Sequence, residues 1–144
     1  MIRKKLLLMV LTSSIFATIT MADSAPLTNL DDISGTWHLR VMDGKEVRKA
    51  RAIVEFHSKQ KIIEGFDACN RFSGKIERTT QNRFFTKPRS TRMACRQNIH
   101  RYVSQRLLIT IQEGFSVTEG KRYGVEGITL KSANHDLFFK KMGD

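Results

Sequence analysis

The sequence lacks the short motifs that announce most catalytic sites. It contains no GxSxG elbow, no HExxH and no glycine loop of the kind that cradles phosphate. Cysteine is down to two residues, Cys69 and Cys95, and the four histidines, His38, His57, His100 and His135, stand singly. Zinc normally takes four ligands at compact spacing, so this distribution names no metal, and nothing else calls for a cofactor. Acidic residues are scarce, 14 against 25 Lys and Arg, giving a net charge of +11. Past residue 22 no run is apolar enough to span a bilayer. There is no internal repeat and no low-complexity segment. The 144 residues suffice for one domain with a real core.

The N-terminus is organised differently. Arg3, Lys4 and Lys5 form a positive leader, Leu6 to Thr20 carries no charge, and Thr20-Met21-Ala22 places small residues at the −3 and −1 positions of a cleavage site. That pattern predicts a secretory signal peptide over 1–22, with an uncleaved anchor as the alternative. No cysteine lies near the site, which excludes a lipid-modified N-terminus. Residues 23–32, with Pro26, read as a short polar tail, and the folded domain as 33–142.

Removing 1–22, which holds three cations and no acid, leaves a net charge of +8. An exported protein so basic meets anionic lipid, lipopolysaccharide or an acidic envelope protein more readily than nucleic acid. Solubility alone is the bland explanation. The candidate anion-binding residues are Lys87, Arg89, Arg92, Arg96 and Arg101, in the densest basic run. Aromatic residues are not interleaved there, as a nucleic-acid surface would have them. A monomer is expected.

Hydrophobic spacing gives the fold class. Trp37, Leu39 and Val41 alternate with His38 and Arg40, predicting a half-buried strand over 36–42. Asp43-Gly44 is a turn signal. Ala52, Val54 and Phe56 alternate with Ile53, Glu55 and His57. Further strands are expected at 62–66, 74–78, 83–86, 115–118, 127–131 and 137–141, the last two joined by a hairpin loop at 132–136. One segment breaks the rhythm. Ile99, Val103, Leu107 and Ile111 recur every four residues, with Tyr102 and Leu108 beside them, predicting an amphipathic helix over about 96–111 that stops near Gly114. The sum is an α+β fold: an antiparallel sheet curved toward an open barrel, with one packed helix.

Four readings compete for the cysteines. A disulfide fits an exported chain with an even count, and would stabilise by roughly 3–4 kcal/mol through loop entropy. A zinc site, a nucleophilic thiol with His100 as base, and two free buried thiols are the others. Around Cys69, Gly65 and Gly74 flank a hairpin-like passage, Asn70 can bond backbone in a tight turn, Phe72 is a candidate for burial, and Asp67 can pair with Arg71. Glu55, Glu64 and Glu77 lie on strands, where carboxylates are more often solvated edge residues than an acid/base pair.

These residues occur in a specific order: Trp37-x-Leu39, Asp43-Gly44-Lys45, Gly65-x-x-x-Cys69-Asn70-x-Phe72-x-Gly74, Ser90-Thr91-Arg92-Met93-Ala94-Cys95, a helix, then Leu137-x-Phe139. In that order the chain resembles the META domain, the HslJ-like family of bacterial envelope proteins. The resemblance implies a rolled antiparallel sheet with one helix, no catalytic residues, and an association with heat-shock induction and novobiocin resistance. It also implies a structural likeness to lipid-binding pilotins. The leading expectation is therefore a non-enzymatic exported protein that supports envelope stress tolerance by binding an anionic or amphipathic partner. The alternatives are a lipid carrier whose pocket would be lined by Trp37, Phe56, Phe84, Phe85, Phe115 and Phe139, and an inhibitor of an exported hydrolase.

Overall fold

Alternation of apolar and polar residues makes each strand one-sided, and the one-sided strands must share a core. In the computed structural model, which describes residues 25–143, they do so in one long antiparallel sheet. The strands are β1 (Gly35–Met42), β2 (Lys45–Glu46), β3 (Ile53–His57), β4 (Ile62–Phe66), β5 (Arg71–Lys75), β6 (Glu77–Arg78), β7 (Phe84–Phe85) and β8 (Arg89–Ser90). Helix α1 (Asn98–Glu113) follows, then β9 (Ser116–Arg122), β10 (Val125–Lys131) and β11 (Asp136–Lys141). The sheet order is β8-β5-β4-β3-β1-β11-β10-β9, with β2 on β1 and a separate β6-β7 pair. The sheet is curved but not closed into a barrel. The β6-β7 pair is tied to its far end where Phe84 and Phe115 exchange backbone hydrogen bonds of 2.8 Å. The expected signal peptide, 1–22, lies outside the described residues.

The inner face is a single apolar core holding Trp37, Leu39, Val54, Phe56, Ile63, Leu130, Leu137 and Phe139. Helix α1 adds Val103, Leu107 and Ile111, with Ile99, Tyr102 and Leu108 packed at its margin. Segment 23–32, expected as a polar tail, is held on the domain from Leu27: Leu27 N–H donates to the Val117 carbonyl at 2.7 Å, and Leu30 is buried. Among the described residues no helix is long and apolar enough to cross a membrane.

Three strand expectations shift in ways that matter for function. A bulge between Leu39 and Val41 changes the phase of β1, so Met42 rather than Val41 points into the core. Strand β5 begins at Arg71, so the Cys69 motif itself enters the sheet, and 74–78 splits into the end of β5 and β6. Strand β9 runs on to Arg122, where Tyr123 and Gly124, both at positive φ, turn the chain into β10.

Candidate functional site

Cys69 and Cys95 are joined by a disulfide. The turn carrying Cys69 is built on Asp67, a fully buried residue whose Oδ1 accepts the N–H groups of Cys69 (2.9 Å) and Asn70 (2.8 Å). Asp67 therefore bonds backbone rather than Arg71, which is exposed. The Asn70 Oδ1 reaches across to the second motif, accepting from Met93 N–H (2.5 Å) and Thr91 Oγ1 (3.1 Å). Thr91 and Arg71 complete the tie through Thr91 N–H to the Arg71 carbonyl (3.0 Å). Ser90 pairs with Phe72, which is buried. A Cβ on Gly65 would sit 2.0 Å from the Ile53 carbonyl oxygen, and one on Gly74 would sit 2.2 Å from Thr86 Oγ1. Side chains at these two motifs are thus spent on holding two segments together. Arg92 and Met93 remain exposed.

The five cations singled out in the sequence are all exposed, and they do not line one common depression. Lys87 and Arg89 share a shallow depression with Lys75. Arg96 lines a different one, beside the disulfide, with Lys49, Arg51 and His100. Arg92 and Arg101 line neither. The aromatic residues proposed to line an interior pocket are packed instead: Trp37, Phe56, Phe84, Phe115 and Phe139 belong to the core, and Phe85 is half-buried.

A third cationic site, set apart by its aromatic neighbours, lies on the outer face of the sheet. Phe138 points outward between two core residues, Leu137 and Phe139, yet is 1% exposed. Gly127 makes room for its ring, since a Cβ there would sit 2.7 Å from Phe138 Cζ. The β9-β10 turn folds back so that Tyr123 meets Phe138 edge-on at 5.6 Å, with the Arg122 guanidinium 5.1 Å from the Tyr123 ring centre. Arg122 is held by Asp136 at 2.6 Å. Beside this stack is a cleft of about 460 Å³ lined by Arg40, Val41, Gly44, Glu46, Arg48, Tyr123, Val125, Phe138 and Lys140.

The cations of that cleft are poorly neutralised. Glu46 contacts Arg48 at 3.5 Å and accepts its backbone N–H at 3.1 Å, leaving two of the three positive charges uncompensated within the lining. Arg40 Nε is buried and has no hydrogen-bond partner among the described residues. Burial, and then repulsion from Arg48, pull the Arg40 guanidinium below its usual value, with Glu46 acting the other way. His38, opposite Lys140 across β1-β11, is likewise lowered, by burial first and then by Arg40 and Arg48, against a hydrogen bond to the Arg48 backbone. The site was hidden in the sequence because its members come from three separate segments, 40–48, 123–125 and 138–140. The bulge at Arg40 and the Tyr123-Gly124 turn, which assemble it, leave only weak local signals.

One further constellation concerns the strand carboxylates. Glu55 and Glu64 are directly opposite on β3-β4, and His57 Nε2 reaches both, whereas Glu77 is on β6.

Comparison with known proteins bears on the whole chain. No curated protein matches it. An NMR structure of a protein from Burkholderia xenovorans is similar in fold, with a TM-score of 0.63 and 16% identity, covering 92% of this chain and 99% of that one. A second NMR structure has a TM-score of 0.56 and 23% identity, covering 74% and 88%. The pattern of the META domain matches residues 28–143. With the two motifs joined in space by the disulfide and the Asn70 hydrogen bonds, and the sheet and helix in the expected order, the chain belongs to the META domain family.

Proposed function

We propose that this protein is an exported, non-enzymatic envelope protein that binds an anionic amphiphile, with a phosphate or carboxylate headgroup in the Arg40 cleft and an apolar portion against the exposed Tyr123 ring, which Phe138 backs. The observation that carries this reading is the buried, unpartnered Arg40 Nε beside Arg48 and Lys140. A buried donor without a partner costs about 1–3 kcal/mol, and more when charged, so an incoming oxyanion has a specific deficit to satisfy. Export is supported by the disulfide, which suits an oxidising compartment, and by the basic-then-apolar N-terminal sequence. The META family is not a known enzyme family. Tolerance of heat or novobiocin-type stress is the physiological role that the family resemblance suggests for such binding.

The test is sedimentation with vesicles of phosphatidylglycerol or of phosphatidylcholine. Binding is expected for the anionic vesicles alone, weakening with salt. Arg40→Gln should lower the affinity about tenfold, roughly 1.4 kcal/mol. Equal binding to both vesicles, or none, would remove the proposal. Deletion of the gene with no change in heat or novobiocin sensitivity would remove its physiological part.

A further inference from the structure

We infer that Glu55, His57 and Glu64 form a binding site for a divalent transition-metal ion of the zinc class on the outer face of the β3-β4 hairpin. The site rests on register. Glu55 and Glu64 are a directly opposed cross-strand pair. Carboxylates placed so repel each other and destabilise a sheet unless a cation lies between them. His57 is two residues beyond Glu55, hence on the same face. Its Nε2 is 2.8 Å from Glu64 Oε1 and 3.4 Å from Glu55 Oε1, and the three ligand atoms all lie within 4.8 Å of one another.

Those separations suit a metal. Zinc bonds of about 2.1 Å in a tetrahedron put neighbouring ligand atoms roughly 3.4 Å apart. Both His–Glu separations are within a side-chain adjustment of that value. The three ligands stand on two paired strands, not on loops, so their spacing is set by the ladder. The donor set is one imidazole and two carboxylates, which suits zinc and its divalent neighbours rather than a soft monovalent ion. Both cysteines are engaged in the disulfide, so no thiolate among the described residues competes. Three protein ligands leave a coordination position for water or another ligand.

The surroundings contain the rivals that matter. The ion pairs of Glu55 and Glu64 among the described residues are with His57. Arg71 and Arg89 line the far side of the depression that Glu55 and Glu64 border, and are not paired with them. The His57 ring alone already bridges the two carboxylates, and a zinc ion placed there binds all three groups at once. Bound metal clips together the two strands that lead into the Cys69 turn.

The test is zinc titration of chelator-treated protein free of any histidine tag, followed by calorimetry and by thermal unfolding. Wild type is expected to take up one equivalent and to melt at a higher temperature with zinc. His57→Asn, Glu55→Gln and Glu64→Gln should each weaken binding at least tenfold and lose the zinc-dependent rise. All three side chains are a third or more exposed, so the variants should fold, which their zinc-free melting confirms. Imidazole NMR of the wild type should show His57 as the perturbed ring, a readout that needs no variant. No saturable uptake by wild type, uptake unaffected by His57→Asn, or uptake lost only in His135→Asn would each overturn the site. His135→Asn serves as the control because its ring also faces a carboxylate, Asp43 at 2.7 Å.

Discussion

Removing the disulfide should cost this domain a quarter or more of a typical stability. The bridge closes a loop with a sequence separation of 26. The loop-entropy relation then gives about 3.5 kcal/mol at room temperature. For a domain of roughly 120 residues the unfolding entropy is about 0.25 kcal/mol/K, so the melting temperature should fall by roughly 14 °C. The assay is urea unfolding and thermal melting of Cys69→Ser/Cys95→Ser against wild type. A second link spans the same gap, the Asn70 Oδ1 bonds to Met93 and Thr91. Each such bond is worth about 1 kcal/mol net. With the covalent bridge gone, Asn70→Ala should cost more than it does in the bridged protein, because the segments are then held only by the Asn70 bonds and the β5-β8 pairing. A loss below about 1 kcal/mol for the double cysteine variant would refute the reasoning. It would mean that the hydrogen bonds and the β5-β8 pairing restrain the segment without the bridge, or that the unfolded chain is already constrained.

Other outcomes follow from single positions. Gly65→Ala should cost at least about 3 kcal/mol, since its Cβ would meet the backbone of β3 and the strands cannot separate locally; chemical denaturation measures this. Leu107→Ala, at the centre of the buried helix face, should cost about 3–5 kcal/mol in the same assay. His38 has a folded pKa held below its usual 6.5 by burial and then by Arg40, so the unfolded chain takes the proton more readily. Stability should therefore fall as pH drops through 6.5 and level off below the folded pKa. His38→Gln should flatten that part of the stability curve, and parallel curves for the two proteins would contradict it.

Where local pattern and tertiary environment agree, the sequence was readable. Alternation placed β1 and β3, a strand was expected where β4 lies, and the four-residue recurrence of Ile99, Val103, Leu107 and Ile111 placed α1, displaced by two residues at each end. The helix ends moved because no strong cap marks its start, and because Glu113, accepting from Asn134, belongs to its last turn. Strands β2 and β8 are two residues each and exist only through their partners, so no local pattern could reveal them. The bulge at Arg40 depends on the register of β11, which a single strand does not encode. Phe138 sits between the two core residues Leu137 and Phe139, and its outward burial depends on Tyr123 and Gly127, neither of which is its neighbour in sequence. The motif cysteines were legible as a pair because an even count behind a signal-peptide-like leader favours a bridge. Of the basic run, Lys87 and Arg89 line one depression and Arg96 another, a grouping that no local pattern encodes.

The measurement that bears most directly on the central claim is the affinity of wild type and Arg40→Gln for phosphatidylglycerol vesicles across a salt series. An Arg40-centred anion site predicts saturable binding that weakens with salt, about tenfold lower affinity in the variant, and unchanged folding. Equal affinity for the two proteins would contradict it, and would assign any membrane attraction to the diffuse positive charge of the chain.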